Sequence, residues 1–200
     1  MKKTKRYMAL LLCVCALWLT AGCSSKQPDP PPAPPPVVEA VEDKRTPVVG
    51  AKTLEDGRKV GGVARGKIGD ELINTFFSFR VEKAELTAVF EGQQPFRGFV
   101  YLVADITVKN TFDESIPMWS DDFLVQWGSG DREYCYPLSK AVHSQMDDEY
   151  LLSVNGSVTK KLVFEVPVPE EDNEYNLSYQ EYYEDEVEGN IYYIVFTLSI

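Results

Sequence analysis

Hydrophobic and polar positions alternate with a period of two over much of residues 70–200. VYLVADITVKN, 100–110, sets Val100, Leu102, Ala104, Ile106 and Val108 on one face and Tyr101, Val103, Asp105, Thr107 and Lys109 on the other. That is the pattern of a half-buried strand. FFSFRVEKAEL (76–86) and the short FLVQW (123–127) read as further strands. In LLSVNGSVTKKLVFEV, 151–166, Asn155-Gly156 between two strand-like runs predicts a type I′ hairpin. YNLSYQEYY (175–183) and IYYIVFTLSI (191–200) close the chain. Ile194, Val195 and Phe196 make the last strand apolar on both faces, so it is expected to be central or covered. No segment after residue 70 holds a helical period; 139–152 has room for a turn or two. About seven to eight short strands separated by turn signals predict an all-β fold. A β-sandwich is expected, with a closed barrel as the alternative.

The N-terminus has a different texture. KKTKR, 2–6, is basic, 8–19 is apolar, and Ala21-Gly22 precede Cys23. A charged stretch, an apolar stretch and small residues make a secretory signal peptide over 1–22. The apolar run of about 12 residues is short for a spanning helix, which needs roughly 20; a retained short membrane helix is the alternative. Thr20-Ala21-Gly22-Cys23 resembles the lipobox of bacterial lipoproteins, with Thr20 where Leu is usual. The resemblance implies cleavage before Cys23 and a diacylglycerol on its thiol. Two acyl chains anchor stably where one does not. PDPPPAPPP then predicts a stiff polyproline II rod, and 37–69 lacks sustained periodicity. Residues 23–69 are therefore read as a lipidated Cys plus a tether, and 70–200 as one domain. The protein is expected on the extracytoplasmic face of the cell membrane.

The run GFVYLVADITVKNTFDESIPMWSDDFLVQW, 98–127, resembles the immunoglobulin-like domain of unknown function found in many Gram-positive lipoproteins. The mycobacterial immunoprotective extracellular antigen is related to that family in fold. Gly156, the Phe164-Glu165-Val166-Pro167 end of a strand, and Tyr175-Asn176-Leu177-Ser178-Tyr179 add to the likeness. It implies an immunoglobulin-like sandwich and supplies no catalytic residues. Asp105, Asn110, Asp121 and Asp122 within these motifs read as structural: a cross-strand partner, a strand end, and caps for loop amides.

Charge narrows the partners. The first 22 residues hold four of the 20 Lys+Arg and none of the 31 Asp+Glu, so the remainder has 16 against 31, a formal −15. That balance excludes nucleic acid as a natural partner and disfavours lying flat on anionic lipid. With Cys13 and Cys15 in the signal and Cys23 lipidated, Cys135 is left alone, read as a small buried apolar residue. GGVARGK, 61–67, has the phosphate-loop spacing, but Ile68 stands where Ser or Thr would hold magnesium, so it reads as linker. The single histidine, His143, lacks a nucleophile-elbow context, and no catalytic residue is expected. His143 with Met146, spaced H-x-x-M, is a weak soft-metal candidate for Cu(I). The acidic runs 170–174 and 184–188 make Ca²⁺ an alternative, without an EF-hand loop. No resident cofactor is expected beyond the lipid. Trp119, Trp127, Tyr179, Tyr182 and Tyr183 read mainly as core packing and sheet-face cover; an exposed contact patch is the alternative, with Trp119, Trp127, Tyr182 and Tyr183 as the candidate contacts for a ligand or partner. The resulting expectation is a non-enzymatic, lipid-anchored interaction module whose partner is another protein or cell-surface component. A metal- or small-ligand-binding lipoprotein is the alternative.

Overall fold

The structure is a computed structural model and describes residues 44–128, 130 and 133–199. The signal segment, Cys23 and the proline run lie outside the described residues. Residues 42–200 form one compact unit. Its strands are β1 (Lys52–Thr53), β2 (Lys59–Val60), β3 (Val63–Lys67), β4 (Leu72–Ile73), β5 (Phe77–Thr87), β6 (Phe99–Asn110) and β7 (Ile116–Trp119). They continue, after a 3₁₀ turn at Ser120–Asp122, with β8 (Phe123–Gln126), β9 (Tyr134–Cys135), β10 (Glu149–Leu152), β11 (Ser157–Pro167), β12 (Asn173–Tyr182) and β13 (Glu188–Leu198). The excess over the seven or eight expected comes largely from two-residue strands, too short to show alternation.

Two sheets form a β-sandwich. One has the order β11-β6-β5-β4 and the other β3-β13-β12-β8-β9. β6 is paired along its length with β11, from Ser157↔Lys109 to Pro167↔Phe99, and with β5 on its other side. The alternation in 100–108 places Val100, Leu102, Ala104, Ile106 and Val108 in the core between the sheets. The opposite sheet contributes Phe123, Val125, Tyr175, Leu177, Tyr192 and Ile194. The other face of β6 is less wet than a half-buried strand predicts. Tyr101 and Val103 are buried with Val163 under Phe90, because the loop after β5 folds back over them; the Phe90 and Tyr101 ring centroids are 6.5 Å apart. Asp105 faces outward on this strand and pairs with Lys161 across β11.

Three expectations are corrected. The domain does not begin at 70. GGVARGK is not linker: Val63–Lys67 is β3, hydrogen-bonded in parallel to β13 from Ile191↔Val63 to Val195↔Lys67. β13 is thereby central, the first of the two outcomes, central or covered, that its apolar faces predict. Ala64 points into the core, 2% exposed, and a Cβ on Gly66 would stand 3.1 Å from Leu72 Cδ2 and 3.3 Å from Ile194 Cδ1. Five residues with a single buried apolar side chain carry too weak an alternation to be read as a strand.

The second correction concerns the hairpin at Asn155-Gly156. A turn is there, closed by Gly156 N donating to Ser153 O at 2.7 Å, with Asn155 at φ 57 and Gly156 outside the left-handed region. Its arms part, however: β10 pairs with β7 and β11 with β6. Asn110 fixes the divergence. Its Nδ2 donates to Leu152 O at 2.9 Å, its N donates to Gly156 O at 2.9 Å, and Leu152 is drawn into the core. The third concerns 139–152, which holds no helix and one turn, closed by Gln145 N donating to Val142 O at 3.2 Å. Residues 138–146 run beside β11 instead, with Leu138 N to Val163 O at 2.7 Å and Met146 N to Lys161 O at 2.8 Å. This strap covers an edge strand that would otherwise offer open backbone groups.

Candidate functional site

β12 pairs with β8 only over Asn176–Tyr179, yet β12 runs on to Tyr182. Before Phe123 the neighbouring chain turns aside through Ser120–Asp122 into β7. Beside the unaccompanied end of β12 lies an open groove of about 830 Å³. Its floor is the outer face of the five-stranded sheet, where alternation brings out Leu124, Gln126, Ser178, Gln180, Ile191 and Tyr193. Trp119, Tyr134, Tyr136 and Tyr182 line it, with Asp121, Asp122 and Glu184. These four rings stay accessible, at 43%, 45%, 52% and 61% exposure. Such exposure of large aromatics around one concavity is what ligand and partner sites show.

Several interactions fix the walls. Asp122 Oδ2 accepts from Trp119 N at 2.8 Å, so the 3₁₀ turn sets the backbone of Trp119, as expected of a capping aspartate. Burial pushes the Asp122 carboxyl up to about 6, and Asp121 adds to the rise. Burial, with the Asp122 charge beside it, also raises the Tyr150 and Tyr179 hydroxyls. Tyr179 packs its ring on Phe77 at 4.6 Å and on Phe123 at 5.8 Å. Tyr134 and Tyr136 meet edge-on at 6.0 Å.

Behind the groove stands Glu181, 0% exposed. Its carboxylate accepts from Thr75 N at 2.8 Å, from Asn190 N and Nδ2 at 3.0 Å each, and from Tyr192 Oη at 3.4 Å. It joins the segment before β5, which carries the lining residue Phe76, to the start of β13. Nothing in the sequence separates this acid from the solvated acids around it except its inward phase in β12, shared with Tyr175, Leu177 and Tyr179.

The structure brings together two of the four candidate contact residues. Trp119 and Tyr182 line the groove. Trp127 packs instead against the core. Tyr183 lies half-buried between Phe76, 5.8 Å away, and the Arg58 guanidinium 4.7 Å over its ring. Tyr134, Tyr136 and Tyr193 were missed. The signal for the first two was their i, i+2 spacing around Cys135. Cys135 is a free thiol that burial pushes up to about 11, so it resists forming the reactive thiolate.

His143 and Met146 are not brought together on one surface. His143 is exposed on the strap, whereas Met146 is 3% exposed in the core, as is Met118 at 2%. Of the acidic runs, Asp185 is held by Arg58 at 2.6 and 3.0 Å. Among the described residues no group of three His, Cys, Asp or Glu side chains is placed to hold a metal ion. No helix among them is long and apolar enough to cross a membrane.

Fold and groove together define a β-sandwich domain with an aromatic, acidic surface site. The chain belongs to the family described as Domain of unknown function (DUF4352), which matches residues 66–191. Among solved structures it is similar to the ycdA protein of Bacillus subtilis, described as a candidate lipoprotein, at 18% identity and TM-score 0.49. That match covers 64% of this chain and 38% of the other, so this chain accounts for well under half of that protein. It is also similar to the Bacillus subtilis yjhA protein, at 17% identity and TM-score 0.42, over 64% and 98% of the two chains. An uncharacterized β-sandwich protein of Clostridium difficile aligns at 14% identity and TM-score 0.42, over 66% and 93%. No curated protein matches the chain.

Proposed function

We propose that this protein is a lipid-anchored, extracytoplasmic binding module without catalytic activity of its own, and that the aromatic groove is its binding site. The observation that carries the reading is the convergence of four accessible rings on one concavity beside the unaccompanied end of β12. The basic, apolar and small-residue stretches ending at Cys23 support the anchor. The sandwich is read as immunoglobulin-like and the host as a Gram-positive bacterium on the motif resemblance. A small-ligand-binding lipoprotein is the companion reading, favoured by the groove's volume, which lies within the range of ligand pockets.

The test is a thermal melt of the full-length chain against a panel of cell-wall fragments, peptides and small organic molecules. A ligand that binds only the native state raises the melting temperature. A saturable rise that disappears in Trp119→Ala and Tyr182→Ala supports the groove. A rise unaffected by both substitutions places binding elsewhere, and no rise across the panel counts against a small-ligand site.

A further inference from the structure

We infer that the groove takes a small organic cation, an ammonium or guanidinium group held over the rings of Trp119 and the neighbouring tyrosines. The inference rests on the groove being a binding site and specifies its ligand. Three carboxylates, Asp121, Asp122 and Glu184, line the groove, and among the described residues no Lys, Arg or His does. Among the described residues the lining itself therefore carries three carboxylates and no cationic side chain; the Arg65 guanidinium lies against it, over the Tyr193 ring, and leaves the acids in excess. An anionic ligand would meet three like charges. A neutral apolar ligand would displace water from three carboxylates without replacing those interactions.

A cation gains on both counts. The faces of Trp and Tyr attract positive charge, most strongly when the site excludes water, and quaternary ammonium groups are held by clustered rings in this way. Asp122 adds to this, because it is turned into a partly desolvated wall by its bond from Trp119 N. Its charge acts there through a lower effective dielectric than on an open surface. The same chemistry already operates elsewhere in the molecule. Arg58 lies 4.7 Å over the Tyr183 ring and Arg65 4.9 Å over the Tyr193 ring. Both are internal pairs of an aromatic with a guanidinium, and Tyr193 also lines the groove. Concavity and volume favour a free small molecule over a protein surface as the source.

The experiment titrates the full-length chain with choline, spermidine and arginine methyl ester, read by tryptophan fluorescence and by melting temperature. The control is 3,3-dimethylbutanol, which has the shape of choline without its charge. The expected result is a saturable response to at least one cation, with the control at least about tenfold weaker. The response is lost in Trp119→Ala and weakened in the exposed variant Asp121→Asn, both checked for an intact melt. Equal responses to choline and the neutral control would overturn the cation inference while leaving the groove a binding site. No saturable response to any of the three up to about 10 mM, an affinity worth under 3 kcal/mol, would overturn it as well. A wider ligand panel that also fails would then remove the binding reading itself. A lysine-rich peptide binding more than about tenfold tighter than spermidine would overturn the small-molecule source, since the added affinity would come from a longer contact.

Discussion

Replacing Glu181 by Ala isolates the device that holds the groove's back wall. Four donors converge on this carboxylate, but they do not all lose equally. Asn190 Nδ2 also donates to Lys59 O at 2.9 Å, so it stays paired. The Tyr192 hydroxyl is 3.4 Å away and contributes least. That leaves the backbone N–H groups of Thr75 and Asn190 without an acceptor. Each orphan costs about 1–3 kcal/mol, so the expected loss is about 2–6 kcal/mol, out of the roughly 5–15 kcal/mol that holds a domain together. At about 2–4 °C per kcal/mol for a domain of this size, the melt shifts down by about 4–24 °C. Calorimetry of wild type and Glu181→Ala measures it. Because Thr75 precedes Phe76, amide exchange should also quicken at 74–76 and 189–191 before it changes in β6. A shift of under about 1 kcal/mol, with no local change in exchange, would refute the reasoning. It would mean that water readily takes over the donors and that Glu181 is not the tie between β12, β13 and the segment before β5.

Other consequences are as direct. A chain beginning at 70 loses β3 and bares the β13 edge; about four or five ladder bonds at about 1 kcal/mol each should turn the cooperative melt of a chain beginning at 44 into a broad or aggregating one, seen by calorimetry and light scattering. Asp122 has a folded value of about 6, above the unfolded value near 3.9, so the folded state holds the extra proton between about pH 4 and 6. Its contribution to stability therefore falls as pH rises through that window and is flat above it. The groups facing it are Asp121, Tyr150 and Tyr179. Asp122→Asn should remove this component of the pH dependence and melt higher than wild type at pH 7; an unchanged pH profile would refute the assignment. Cys23→Ser should move the protein from the membrane fraction to a soluble fraction, and equal membrane retention would contradict lipid anchoring.

Much of the sandwich was legible in the chain because alternation reports burial on one face. Val100, Leu102, Ala104, Ile106 and Val108 show it: each was placed on the core face by phase alone, and phase survives whatever sheet order the fold adopts. The apolar character of Ile194, Val195 and Phe196 predicted a central or covered strand, and β13 is flanked by β12 and β3. What the sequence could not supply was the neighbour's identity. β3 has one buried Ala and one glycine, Gly66, in contact range of other elements, and such a strand is specified by the edge it meets. The same limit misplaced the partners of β10, whose carbonyl at Leu152 is claimed by the distant Asn110 side chain.

The site divides in the same way. The sequence offered aromatics readable either as core or as a contact patch, and showed that acids outnumbered bases. It did not determine which rings would gather. Trp119, Tyr134, Tyr182 and Tyr193 come from four different strands, and they share a groove because β8 pairs with β12 over only four residues. Local pattern fixes which way a side chain points, through the two-residue period of the backbone. Which side chains become neighbours is decided by long-range strand pairing, and that information resides only in the tertiary structure.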